Sequence, residues 1–312
     1  MNENETLRRG AEGEQVRHLQ QLLKITVDGY FGGETEEAVT EFQREQHMRP
    51  DGIVGPETWQ VLLHKAPSVP DKPLENPLVT HIVRIAGSHP VMRLNWPGRG
   101  VAPLGYVKGV AVSFANALMK MRLGNAPYVA MAKAAEKNKL DALVWYQGQF
   151  SVASMRNNVD GEDTLRHLFV LLLGLGMRES SGKYCEGRDM SASNTSASSA
   201  EAGAWQMSWD AHVGVPLLRK LMDEYDGEGL LMIYREGVNA SASGLRSWGL
   251  GQGLEFQRLC KSKPDFAAQA AALGLRSLRN HWGPVNRFEV QIKREVDDML
   301  KKVQDIIVDV VV

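Results

Sequence analysis

The residues best placed to do chemistry follow an apolar run. Leu168 to Leu173 is apolar, Gly174-Leu175-Gly176-Met177-Arg178 comes next, and then Glu179-Ser180-Ser181-Gly182. A carboxylate carried by a buried helix to the edge of a core is poorly solvated when charged, and desolvation raises its pKa. A raised pKa is what a general acid needs to stay protonated near neutrality and donate to a glycosidic oxygen. The same glutamate also fits a helix-end residue that caps the helix or pairs with Arg178, and locally the two readings stand side by side. Other reactive side chains suggest less. Cys185 lacks a partnered histidine that would make it a nucleophile, His281 beside Trp282 reads as structural, and the glycines at 98, 100 and 105 do not form a phosphate loop.

The element that must position Glu179 is a helix opened by Asp163-Thr164 and apolar nearly all round, hence buried. Further helices are expected over Gly109–Met121, Tyr128–Lys139, Leu217–Glu224, Phe266–Leu278 and Phe288–Val303. Asn95 to Gly105 reads as a loop, and strand signals are sparse. The fold class is therefore mainly α.

A repeat marks the N-terminus. Asp28-Gly29-Tyr30-Phe31-Gly32-Gly33-Glu34-Thr35 is echoed by Asp51-Gly52-Ile53-Val54-Gly55-Pro56-Glu57-Thr58. Asp-Gly makes a tight turn, an apolar pair anchors the loop, and the threonine is placed as an N-cap. Val16, Leu19, Leu22 and Leu23, then Ala38, Val39 and Phe42, fall at helical spacing. Three short helices joined by two capped turns are expected. A purely structural role explains the Asp-Gly and Thr positions, but not the doubling of the cassette. Ala66 to Pro77 contains four prolines, which makes it an extended spacer.

Residues 5 to 64 resemble the small peptidoglycan-binding domain found at the ends of many wall hydrolases. The resemblance is carried by Leu7-Arg8-Arg9-Gly10-Ala11-Glu12-Gly13, Val16, Leu19-Gln20, Leu22-Leu23, Phe42-Gln43 and both Asp-Gly cassettes. It implies a wall-binding surface that includes Asp28, Gly29, Tyr30, Phe31, Asp51 and Gly52. Beyond the prolines, Glu179-Ser180 and Gly203-Ala204-Trp205-Gln206 resemble motifs of the lysozyme-like superfamily, which includes goose-type lysozymes, soluble lytic transglycosylases and phage endolysins. That likeness implies Glu179 as catalytic acid. It also implies Ser180, Tyr184, Gly203, Trp205, Gln206 and Asn286 as substrate contacts, with Trp205 packing as a wall or stacking on a sugar. Asn280-His281-Trp282-Gly283-Pro284-Val285-Asn286 lies where the superfamily keeps a third motif but departs from it.

Two chemistries follow from one acid. A lytic transglycosylase uses a single glutamate as acid and then base while a 1,6-anhydro ring closes. An inverting muramidase needs a second carboxylate about 6.5–9.5 Å away to activate water. Glu201 and Asp189 are the candidates; Asp189 reads as a solvated loop acid, and Glu201 is left open. The expected organisation is a wall-binding domain over 1–65, a linker over 66–77 and a lysozyme-like catalytic domain over 78–312. Peptidoglycan is the expected partner. A catalytically inactive wall-binding protein and a chitin-directed glycosidase are the alternatives.

With 36 basic and 37 acidic residues, the net charge of −1 supplies no field to draw the chain onto nucleic acid or an anionic membrane. Two cysteines, Cys185 and Cys260, are too few for a disulfide framework and are expected as free thiols. No metal site or other cofactor is expected, nor stable membrane insertion, and the chain is expected to be a monomer. The acidic, polar start does not read as a signal peptide. This fits a lysin held in the host cytoplasm that reaches the wall after the membrane is permeabilised.

Overall fold

The computed structural model describes residues 6–23, 25–46, 48–63, 76–188, 196–240 and 242–308. Most of the expected spacer lies outside these residues, as do Asp189 and much of the serine-rich run after it. Two compact units divide between Pro73 and Leu74.

The first unit has helices α1 (Glu14–Leu23), α2 (Gly33–Glu45) and α3 (Pro56–Leu63). They close on a core that includes Val16, Leu19, Phe31, Val39, Phe42, Val54, Trp59 and Leu62. Two glutamines hold the repeat together. The Gln20 side-chain carbonyl accepts from the Gly29 amide at 2.8 Å. Its amide donates to Asp28 Oδ1 at 2.6 Å, to the Tyr30 carbonyl at 3.0 Å and to Thr35 Oγ1 at 3.1 Å. Gln43 does the same with Gly52 at 2.9 Å, Asp51 at 3.0 Å, the Ile53 carbonyl at 2.9 Å and Thr58 at 3.2 Å. Every bond of the first bracket recurs 23 residues later. Gly29 and Gly52 sit at φ of 77° and 71°, where a Cβ is disfavoured.

The brackets revise two expectations. Thr35 and Thr58 are not N-caps. Gly32 occupies the cap of α2 without a side-chain bond, and each threonine is buried within the first turn, bonded to its glutamine. Nor do both members of each apolar pair anchor the loop. Phe31 and Val54 are fully buried, whereas Tyr30 is 48% and Ile53 39% exposed. Asp28, Gly29, Asp51 and Gly52 build the turns, and Tyr30 and Ile53 are what those turns present outward.

In the second unit α4 (Pro77–Ser88) begins at Pro77, with the Asn76 side chain accepting from the Leu78 and Val79 amides. Pro77 is thus the first helical residue, where its missing N–H costs nothing, and not part of the spacer. A hairpin follows, β1 (Asn95–Trp96) against β2 (Gly100–Val101), in a stretch expected to be loop. The helices that surround the site are α5 (Leu104–Arg122), α6 (Glu162–Ser180), α7 (Pro264–Leu275) and α8 (Arg294–Val308), with further helices between them. The unit is mainly helical, as the apolar spacing implied. Helix α6 packs against α5, α7 and α8, and every residue from Thr164 to Met177 is buried.

Tertiary contacts override local preference in several places. Asp163 and Thr164 lie inside the first turn of α6, not at its cap: Asp163 pairs with Arg166, and Thr164 donates to the Val159 carbonyl. The alanine-rich run expected to be helical to Lys139 is helical only over Ala126–Met131. Beyond it, Arg276 takes the carbonyls of Met131, Lys133 and Ala134, and Asp160 takes the Ala134 amide. Helix α8 begins at Arg294 and not near Phe288, because residues 288–291 lie against α6, where a Cβ on Gly174 would fall 2.5 Å from the Gln291 carbonyl.

Replacing Gln20 or Gln43 with alanine strands the Gly29 or Gly52 amide and takes a donor from the aspartate, the carbonyl and the threonine around it. Each change should destabilise the first unit by about 2–3 kcal/mol, read as faster hydrogen exchange of amides 14–63 with the second unit unaffected. Wild-type protection in both variants would refute the bracket.

Candidate active site

The end of α6 is held by close approach. A Cβ on Gly176 would lie 2.1 Å from the Tyr106 hydroxyl, and one on Gly182 2.7 Å from the Tyr106 ring. That proximity lets Tyr106 donate to the Leu173 carbonyl at 2.8 Å and the Trp205 indole donate to the Leu172 carbonyl at 2.9 Å. The helix stops at Ser181, which takes a left-handed φ of 57°, followed by Gly182 at 76°. Ser180 Oγ lies 2.8 Å from the Ala204 carbonyl and 3.1 Å from that of Gly176, and accepts from the Lys183 amide at 3.0 Å. The helix end is therefore fastened to a tight turn closed by the Ala202–Met207 bridge. Gly203 and Gln206 both have positive φ in that turn, and the Gln206 amide donates to the Gly203 carbonyl at 3.0 Å.

Glu179 is half-buried at this junction. Its carboxylate makes no hydrogen bond and no ion pair among the described residues. Burial pushes its pKa up to about 7, the charge of Glu201 adds to the rise, and Arg99 opposes it; Glu289 raises it and Arg178 lowers it less strongly. The neighbouring Arg178 is engaged elsewhere: it donates to the Pro97 carbonyl and to Glu289 Oε2, each at 3.1 Å. The pairing of Arg178 with Glu179 that the sequence allowed is not formed. What remains is a carboxyl group poised between its two protonation states near neutral pH, with a second carboxylate close enough to act on it.

The predicted site residues divide into two groups. Glu179 and Glu201 act on one another electrostatically. Ser180, Gly203, Trp205 and Gln206 come together at the same helix end, joined by bonds to backbone. Ser180 is 5% exposed and tied to backbone, and Trp205 is 1% exposed with its indole nitrogen bonded, so a sugar ring cannot stack on it. Tyr184 is buried nearby in sequence. The Asn286 side chain accepts from Arg279 at 2.8 Å and donates to the Asn280 carbonyl at 3.0 Å, which holds it against its own loop. The sequence reading missed Arg99 and Glu289. Pro97-Gly98 signals the turn that carries Arg99; nothing local marks Glu289. Cys185 and Cys260 are free and buried.

Residues 12–62 match the family described as "Putative peptidoglycan binding domain". An uncharacterised protein from Kitasatospora aureofaciens is 58% identical over 36 residues, 12% of this chain and 30% of its own length. The zinc D-Ala-D-Ala carboxypeptidase of Streptomyces albus G is 27% identical over 179 residues, 55% of this chain and 61% of its own length. The chain thus spans less than two thirds of either relative. The crystal structure of Burkholderia AP3 phage endolysin covers 99% of this chain at 15% identity with a TM-score of 0.20, too low to carry an argument. Among the described residues no helix is long and apolar enough to cross a membrane.

The raised pKa has a sign that can be tested. A carboxyl group that titrates near 7 in the folded chain and near 4.5 otherwise favours folding least once ionised. The penalty grows as pH rises from 4.5 to 7 and is complete above 7. Glu179→Gln removes it. The gain in melting temperature of the variant over wild type should be larger at pH 8 than at pH 4, and an equal difference at both would refute the shift.

Proposed function

We propose that the chain is a peptidoglycan-degrading glycosidase that anchors through its first unit and cuts the β-1,4 bond between N-acetylmuramic acid and N-acetylglucosamine with its second. The observation that carries this reading is Glu179: a carboxyl group at the end of a buried helix, half protonated near neutral pH, joined to a region that matches a wall-binding family. Protonated Glu179 donates to the leaving glycosidic oxygen. In the transglycosylase route the resulting carboxylate then takes the proton of the muramyl C6 hydroxyl as the anhydro ring closes; in the muramidase route Glu201 takes a proton from the attacking water instead. Tyr106, Ser180, Trp205 and Gly203 fix the backbone around the acid without touching substrate.

The carboxypeptidase relative favours a second reading, in which a wall peptide bond is cut by zinc chemistry. That reading needs a ligand set. Among the described residues no group of three or more His, Cys, Asp or Glu side chains is placed to hold a metal. The donors among the described residues do not fit zinc.

Glu179→Gln should lower the rate of wall clearing by about 10²–10⁴-fold with folding and wall co-sedimentation retained. Clearing at near wild-type speed would sink the assignment. Mass spectrometry of the released fragments separates the chemistries: anhydro sugars mark a transglycosylase, reducing sugars a muramidase, and intact glycan with trimmed peptides the carboxypeptidase reading. A deep loss in Glu201→Gln belongs with the muramidase outcome, and a mild loss with the anhydro outcome.

Residues 1–65 fused to a reporter should co-sediment with purified peptidoglycan. With no large net charge to screen, modest salt should leave binding intact. A fusion that stays in the supernatant would refute the anchoring role.

A further inference from the structure

Phe288 is a bulky residue in the left-handed region, at φ 55°, a conformation that side chains of this size adopt only when their surroundings impose it. It is also 48% exposed. Its ring stacks on Trp145 at 4.4 Å between centroids and 7° between planes, and Tyr146 meets it edge-on at 5.3 Å. The Arg279 guanidinium lies 3.8 Å from the Trp145 ring centre. Two groups this close cannot share one face, so Arg279, Trp145 and Phe288 form three layers. Asn286 and the Lys139 carbonyl fix the guanidinium in turn, at 2.8 Å each. The stack is rigid and its last ring is open.

Its place in the chain ties it to the acid. Phe288 immediately precedes Glu289, whose carboxylate is bonded to Arg178, the residue before Glu179. A strained backbone, a pre-stacked flat ring and a charged neighbour reaching the catalytic helix make a built feature, not a stray surface aromatic. A pyranose ring presents axial C–H bonds on one face, apolar and slightly positive, which suits the negative face of an aromatic ring.

Resting on the glycosidase reading above, we propose that Phe288 is a sugar-stacking platform that binds one pyranose of the glycan strand beside the cleavage site. The role missed by the buried Trp205 falls to Phe288. Arg279 and Trp145 act behind it as positioning residues.

The test uses the full-length Glu179→Gln chain titrated by calorimetry with a peptide-free oligosaccharide of alternating N-acetylglucosamine and N-acetylmuramic acid. Phe288→Ala and Phe288→Leu should weaken binding by about three- to tenfold, because neither offers a flat face. Phe288→Trp should bind within about twofold of the parent. Leucine keeps apolar contact with Trp145, so it decides the matter if alanine perturbs the fold in thermal unfolding. Equal affinity in the leucine variant, or no oligosaccharide binding by the parent, overturns the platform. Failure of the acid reading shows separately, as activity retained by Glu179→Gln, and leaves the titration valid.

Discussion

Two hydrogen bonds from distant segments grip the backbone of α6 about two turns before it ends: Tyr106 to Leu173 and Trp205 to Leu172. Helical carbonyls already bonded within the helix rarely attract such partners, and these two require glycine on the adjoining surface for Tyr106 and Trp205 to come within reach. The grip fixes where the helix stops. Where it stops decides the solvation of Glu179, and solvation is the largest influence on its proton affinity. Ser180 then carries the same constraint outward to the Gly203–Gln206 turn, which continues from Glu201. The acid and its electrostatic partner are thus positioned by one chain of contacts.

The first unit solves a smaller problem by another route. About fifty residues give a modest core, and two polar brackets supplement it. Each glutamine satisfies a turn amide, a carbonyl, an aspartate and a threonine at once, a dense use of one buried amide group. Buried polar groups that are fully paired specify one arrangement where apolar contacts alone would permit several. The doubled cassette is doubled because the bracket is.

Much of this was legible in sequence, and the limits have physical causes. The buried helix and its terminal glutamate were legible because an all-round apolar run has few other readings. The 23-residue repeat was visible too, but its centre was sought in Asp-Gly and Thr, while the organising residue lay eight positions earlier, on another element. The structure brings Ser180, Trp205 and Gln206 to the helix end that carries Glu179, each bonded there to backbone; a sequence pattern reports that residues belong together and not which way they face. Glu289 and Phe288 could not be found locally. Their importance comes from a segment more than a hundred residues downstream lying against α6 at Gly174.

The three glycines around the helix end have a further consequence for how such a chain can change over time. Any change that replaces glycine by another amino acid adds a Cβ. At positions 174, 176 and 182 the added atom meets backbone or aromatic ring well inside contact distance. The backbone behind Glu179 is therefore closed to stepwise drift, whereas the exposed Arg99, on its hairpin turn, meets no such steric bar. A lineage starting from this sequence would alter the rim around Glu179 while inheriting the seat of that residue unchanged.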